Sequence, residues 1–295
     1  MTTDQNQPNL KQQVIRLKRQ DKIFWIVGLF SLTFALLTLL SLMIDMALTG
    51  WPRLSFSFFT SFASRFPDKA GILAAWVGSL CVMAVTSILA IPFGIATGIF
   101  LEEYSKKNIW TKIIELNILN LAGIPSITYG LMALGIFVYK MHLGQSILTA
   151  GMTLGLLILP IIIVTTREAI RTIPSHIREA SYSLGATKWQ TIWNHILPYS
   201  SGGIMTGVVI ALSRAIGETA PLITVGALTF IAFLPHGLLD PYTVMPIQMF
   251  SWVSRPQEEF HVNAAAAGIV LLAMTLLLNA AAIFIRYRFR KRYKW

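Results

Sequence analysis

The sequence predicts an all-α polytopic membrane protein with six transmembrane helices and both termini in the cytoplasm. Three observations predict it. Of 295 residues, 55% are hydrophobic and only 13% charged, about half the charged share of an ordinary soluble domain. Uncharged apolar runs of more than twenty residues recur along the chain, each long enough to cross a hydrocarbon core of ~30 Å as a helix. The formal net charge of +11 lies in the segments between those runs, and on one side of them only.

The elements follow in order. Residues 1–22 are polar and Gln-rich with five basic side chains, and read as a solvated cytoplasmic tail. Residues 23–44 form the first span; the run is longer than the apolar core of a secretory signal, and no small-residue cleavage site follows it. An external interfacial segment completes 23–70, with Phe56, Phe58, Phe59, Phe62 and Phe66 set among Ser and Thr, a mixture suited to a membrane–water boundary. Runs at 71–101, 116–139, 143–166 and 262–285 supply four further spans. Between 196 and 239 the apolar stretch is interrupted only by Arg214 and Glu218, leaving room for one span plus a re-entrant or interfacial segment, or for two spans.

Charge decides the count. With six spans, the N-terminal tail, the loops at 102–115 and 167–195, and the tail from Arg286 carry five, three, four and six Lys or Arg. The opposite side holds Arg53, Arg65, Lys69, Lys140 and Arg255 against five carboxylates, so the whole excess is on the first side. Basic loops mark the cytoplasm, and a seventh span would export the six basic residues of the C-terminal tail. Residues 71–286 then form a core of five transmembrane helices with a cytoplasmic loop at 167–198, and 287–295 a basic cytoplasmic tail. Residues 241–260, with Met249 and Trp252, read as a second external interfacial segment. Gly94 with Gly98, and Gly151 with Gly155, have the small-xxx-small spacing of close helix crossings. Pro92, Pro125 and Pro221 are expected to kink helices.

The same composition excludes several functions. A soluble nucleic-acid binder spreads its charge over a solvated surface, which this chain does not. The lone Cys81 leaves no disulfide framework and no Cys-based zinc site. There is no G-x-x-x-x-G-K-[ST] phosphate loop, no H-E-x-x-H and no G-x-S-x-G, so no ATP site, metal, cofactor or enzymatic activity of its own is expected.

The cytoplasmic loop is the informative segment. Pro174 suits a first helical turn, and Ile177, Ala180, Ser181 and Leu184 follow at i, i+3, i+4 and i+7 as a weakly apolar stripe. Gly185 stands where a left-handed C-terminal cap is wanted. Thr187 and Gln190 have capping-box spacing. Trp189, Ile192, Trp193 and Ile196 continue the stripe, and Pro198 is expected to close the second helix. Two short helices hinged at Gly185 and presenting Trp189 and Trp193 make a knob for a partner, or a rest on membrane lipid.

Glu179–Ala180–Ser181–x3–Gly185–x9–His195–Ile196–Leu197–Pro198 resembles the EAA loop of ABC importer permeases, with Ser181 in place of the second Ala and His195 in place of an aliphatic residue. The resemblance implies the ABC type I importer permease fold and a loop that docks on a separate ATP-binding subunit dimer through Glu179, Ala180, Gly185, Trp189, Leu197 and Pro198. It extends through 101–104, 122–130 and 211–221, which are similar to permeases of the phosphate-specific importer, and through 245–260, which looks like the PstA type rather than its PstC-type partner. The implied partners are a second permease of the PstC type, the ATPase dimer, an extracytoplasmic phosphate-binding protein, inorganic phosphate and membrane lipid, in a bacterial inner membrane. Sulfate and molybdate permeases are the nearest alternative. A secondary transporter would need its own energising site, and a membrane enzyme a catalytic constellation.

Arg214 and Glu218 are the only charges in the fifth span, where each costs ~2.5–3.5 kcal/mol unless buried or paired. At i, i+4 they are expected on one helix face, in the outer half of the bilayer. A guanidinium fork matches phosphate oxygens, so Arg214 is a candidate anion stop tempered by Glu218, with a structural ion pair as the other reading. Asn117 and Asn120 read as hydrogen bonds across helices or as the lining of a wet path, and Glu102 with Glu103 as a solvated helix end.

Overall fold

The computed structural model describes residues 10–106 and 108–292. It divides into two compact units, split after Thr49. The first is helix α1 (Leu10–Gly50), whose 41 residues extend ~60 Å at 1.5 Å per residue. The helix therefore begins well before the apolar run: residues 10–22 of the expected tail are helical, because Leu, Lys, Gln and Arg are good helix formers and neither Gly nor Pro interrupts them. Residues 1–9 lie outside the described residues.

The second unit is built on α2 (Leu73–Ile99), which ends in a π-helical turn over Phe100–Tyr104. Next come α3 (Ile109–Ala122), capped by the Asn108 side chain, and α4 (Ser126–Ala133), prolonged to Lys140 by wide turns. Helix α5 spans Ile147–Arg171 and α6 Ser175–Ser183. Helix α7 runs Lys188–Gly217, α8 Ala220–Val225, α9 Met245–Val253 and α10 Glu258–Arg292. Among the described residues, five helices are long and apolar enough to cross a membrane, and α3 with α4, bent by 104°, forms a sixth candidate.

The bent pair spans the unit from end to end. Near its start, Glu115 is ion-paired at 2.7 Å to Arg167, close to the end of α5. Its other end at Lys140 joins the beginning of α5 through a short turn, where Leu143 N–H donates to the Phe137 carbonyl. Because α5 is a continuous 25-residue helix, a segment joined to both its ends crosses too. Pro125, expected to kink a helix, breaks this one. The Tyr129 hydroxyl donates to the Leu121 carbonyl at 2.8 Å across the break, answering an acceptor that the lost turn exposes. Pro92, by contrast, is carried inside an unbroken α2, and Pro221 starts α8 rather than kinking it, since its missing N–H costs nothing in a first turn.

Helices α2 and α5 share the most extensive packing among the described residues. A Cβ on Gly94 or Gly98 would lie 2.6 Å from Ile162 or 2.7 Å from Thr166, and one on Gly151 would overlap Val85. A Cβ on Gly155 would meet Leu89 and Ala90 at 4.0 Å, ordinary contact, so a methyl fits at that half of its pair. Around this crossing pack Met83, Ala90, Leu157, Ile158, Ile162, Val208 and Ala211.

The external segments are partly core. Phe56 is 84% exposed, but Phe58 and Trp252 are fully buried against each other, with ring centroids 6.0 Å apart. Aromatic residues set among Ser and Thr serve a boundary or a small core equally well. Arg53 decides it here: its guanidinium donates to Asn263 Oδ1 and to the carbonyls of Pro67, Asp68 and Ala70 and lies over the Phe58 ring at 5.2 Å. That staple folds 53–70 onto the start of α10. Of the two options for 196–239, the structure has one span followed by a non-spanning segment, in which Leu238 and Asp240 carbonyls accept from the first N–H groups of α5.

Candidate functional site

At the cytoplasmic end the two-helix knob has its expected local chemistry. Pro174 precedes α6. Gly185 adopts φ +80°, a left-handed conformation in which an ordinary residue is strained. Thr187 and Gln190 form both bonds of the capping box. The stripe, however, divides. Ile192 and Ile196 are fully buried with Ile170 and Ile173, whereas Trp189 and Trp193, 60% and 59% exposed, stack on each other outside at 5.7 Å. Leu184 is 89% exposed, and Glu179 and Ala180 are exposed as well. The exposed face is thus α6 together with the stacked indoles. Ser181, where the EAA pattern has Ala, is buried and shares a 2.9 Å hydrogen bond with Thr191, tying α6 to α7.

Pro198 does not close the second helix. The backbone widens over Ile192–Ile196, with Leu197 N–H reaching the Ile192 carbonyl. That π-helical turn absorbs the proline where regular turns would clash. The knob's second helix and the fifth span are therefore one continuous helix. Leu197 is half-buried against the Ile192 cluster, and His195 is exposed, so the departure from the usual aliphatic residue disturbs no core.

An ionic lattice stands behind the knob. Glu102 accepts from Arg171 at 2.9 Å and lies 3.4 Å from Arg167, which pairs with Glu115 at 2.7 Å. Glu103, with a side chain only 6% exposed, takes two N–H groups of Arg178 at 3.0 and 2.7 Å. Glu102 and Glu103 are therefore not a solvated helix end. Nothing local in the sequence marks Arg178, Arg167 and Glu115 as site residues, because their partners are far away along the chain. The available signal was the carboxylates themselves, set on a face whose loops are otherwise basic.

At the other end of α7 the expectation for Arg214 and Glu218 holds in contact but not in placement. Their Nε–Oε1 distance is 3.2 Å. Glu218, however, lies beyond the helix, at its C-terminal cap with ψ 128°, so they do not share a helical face. Arg214 occupies the last turn, where a cation complements the helix dipole. The contact engages Nε alone, and no other hydrogen bond of this guanidinium is found among the described residues; its side chain is 42% exposed. Helix α8 follows at once and packs on α4 where Gly130 meets Pro221; a Cβ there would be 2.7 Å from Pro221 Cα. Asn117 donates to the Ile113 carbonyl of its own helix rather than across helices, and Asn120 is exposed.

The family model described as binding-protein-dependent transport system inner membrane component matches residues 90–295. The chain belongs to this family of permeases. Similar curated proteins include the phosphate transport system permease protein PstA of Yersinia pestis, 32% identical over 92% of this permease and 91% of the relative. PstA of Haemophilus influenzae is 31% identical over 90% of each chain. The probable ABC transporter permease YqgI of Bacillus subtilis is 29% identical over 86% of the permease and 92% of the relative. Among solved structures, a chain of a bacterial alginate ABC transporter matches at TM-score 0.68 and 15% identity, covering 92% of the permease and 96% of that chain. A chain of the MetNI methionine ABC transporter matches at 0.57 and 18%, covering 72% and 94%. The permease thus has the ABC importer permease fold and is a multi-pass inner-membrane protein.

Proposed function

We propose that this permease is a subunit of an ATP-driven inorganic phosphate importer of the PstA type. It forms the translocation pathway with a second permease of the PstC type, receives phosphate from an extracytoplasmic binding protein, and is driven by a separate ATPase dimer docked on the 174–198 knob. The names of its relatives support the solute, and the Arg214 geometry carries the chemistry. Helix α7 stops at Gly217 and the chain resumes as a helix at Ala220; irregular backbone of this kind is tolerated at membrane depth only where it is buried in protein or lines a wet cavity. At that end stands a permanent cation with its terminal nitrogens open, a fork that fits two phosphate oxygens. Glu218, held on Nε, keeps the site from binding so tightly that release stalls.

Glu179, Ala180, Gly185, Trp189, Leu197 and Pro198 act in coupling through two routes. Glu179, Ala180 and Trp189 lie on the exposed face, while Gly185, Leu197 and Pro198 set its shape. ATPase closure, transmitted there, opens the pathway outward by a shift of packed helices. The test is radiolabelled phosphate uptake by membrane vesicles carrying the complex. Arg214→Gln abolishes uptake while insertion and ATPase association persist. Loss of assembly instead makes Arg214–Glu218 a structural ion pair, and uptake of sulfate but not phosphate overturns the solute assignment.

A further inference from the structure

We infer that the Glu103–Arg178 pair is a positioning strut that passes displacement of the knob to α2 and, through Arg167, to the bent α3. The inference rests on the proposed docking of the ATPase on 174–198 and adds the route by which its stroke spreads. Helix α6, which carries most of the knob's exposed face, is joined covalently only to α5 and, past Gly185, to α7. Neither joint reaches α2 or α3.

The knob and α2 also meet where Ile177 and Ile99 pack on one apolar cluster and where Lys188 lies over the Tyr104 ring at 4.9 Å; Arg178 supplies the hydrogen-bonded, ion-paired link. From the middle of α6 its Nη1 donates to the Ile173 carbonyl at 2.9 Å and its Nη2 to the Ile170 carbonyl at 3.3 Å, while Nε and Nη2 both reach Glu103 Oε1. One guanidinium thus fastens α6 to the Ile170 carbonyl in the last turn of α5, to the Ile173 carbonyl just past it, and to the last turn of α2. Glu102, the neighbouring residue in that turn, holds Arg171 and Arg167, and Arg167 holds Glu115 on α3. Two adjacent carboxylates therefore divide the work: Glu103 grips the coupling helix and Glu102 grips α5. Their shared π-helical turn, Phe100–Tyr104, is the kind of local irregularity that marks functional points in helices. Because Glu103 is nearly buried, parting it from Arg178 would leave a poorly solvated carboxylate, and movement of α6 draws the end of α2 with it.

The experiment uses the full complex in proteoliposomes, with a single thiol at Asn117→Cys on α3 in a Cys81→Ala background. Thiol labelling is compared between nucleotide-free and vanadate-trapped complexes, a readout that does not depend on which solute is carried. In the parent, labelling differs between the two states. Glu103→Gln keeps ATPase association and vanadate trapping but shrinks that difference by about fivefold or more, the lower end of coupling between linked sites. If that variant fails to assemble, Arg178→Lys decides, since it keeps the charge and loses the fork. An unchanged labelling difference with either variant overturns the strut. Parallel loss of association and trapping also overturns it, assigning the pair to docking. The docking reading fails separately: Trp189→Asp, which leaves Glu103 and Arg178 unaltered, would then leave ATPase association intact.

Discussion

Gly185 offers a graded test of the knob, because the structure separates backbone strain from steric conflict. Its φ is +80°, and a Cβ built there meets nothing within 4 Å. Any cost of substitution therefore comes from the left-handed backbone alone. That conformation costs ~1–2 kcal/mol for an ordinary L-residue, less for Asn, whose side chain tolerates it, and more for a β-branched residue. The turn is held by Gly185 N–H to the Tyr182 carbonyl at 2.9 Å and Ala186 N–H to the Ser181 carbonyl at 3.2 Å, so a strained residue competes with those two bonds. If only the folded knob binds the ATPase, apparent Kd rises by the inverse of the competent fraction. Gly185→Ala then weakens association by up to ~5- to 30-fold, Gly185→Val by more, and Gly185→Asn by less than either. The assay is ATPase-subunit binding to purified permease complex in nanodiscs. Equal effects of Asn, Ala and Val, or a loss that follows side-chain volume, would refute the reasoning, since open space and positive φ together predict a ranking by backbone preference.

Other expectations follow from single contacts. Thr191→Val lowers the thermal stability of the complex by more than Ser181→Ala does: it leaves the buried Ser181 hydroxyl without its 2.9 Å partner, at ~1–3 kcal/mol, whereas Thr191 in the other variant keeps its bond to the Thr187 carbonyl. Gly98→Ala forces a methyl to within 2.7 Å of Thr166 and reduces folded yield, measured by size-exclusion chromatography, while Gly155→Ala is silent. Arg53→Ala removes the donor to Asn263 Oδ1 and to the Asp68 and Ala70 carbonyls, leaving Pro67 only its bond from Asn263 Nδ2, and makes 53–70 sensitive to external protease in right-side-out vesicles. Asp240 is held below the ordinary carboxylate value by the N–H groups of His236 and then Gly237. Its contribution is complete above the unfolded value of ~3.9 and is lost as pH falls through the lower folded value. The 236–240 turn consequently keeps its hydrogen-exchange protection at neutral pH, and Asp240→Asn loses it there.

What was legible in the sequence is what neighbours in the chain decide. The left-handed Gly185, the Thr187–Gln190 capping box and the apolar runs depend on a few successive residues, and each is found in place. Where distant partners choose between outcomes, local reading fails. Pro198 looks terminal until the wide turn at Ile192–Ile196 is seen to absorb it. Glu102 and Glu103 look solvated because Arg171 and Arg178 are 69 and 75 positions away. Trp252 looks interfacial because only its packing on Phe58 makes it core. The two charges of the fifth span were legible as a pair, but the helix end between them was not: Gly217 gave the only local hint, and a lone glycine in an apolar run is a weak signal.

The continuity of α7 joins the two candidate regions mechanically. From Lys188 to Gly217 it has 30 residues, ~45 Å of helix, with Trp189 at one end and Arg214 in the last turn of the other. Its closest approach to α5 is in the middle, where a Cβ on Gly203 would lie 2.6 Å from Ala169 and one on Gly207 would overlap Thr165. Small residues there place a pivot rather than a spacer between the helices. Gly203 lies 15 residues from Lys188 and Gly207 ten from Gly217, so the arms are about 22 and 15 Å. A tilt of this rod that moves the indoles by about 3 Å carries the Arg214 turn by about 2 Å the other way, enough to remake or break a hydrogen bond to an oxyanion. A proline that ended the helix at residue 198 would have cut that lever; the π-helical turn before it keeps the knob and the arginine on a single element.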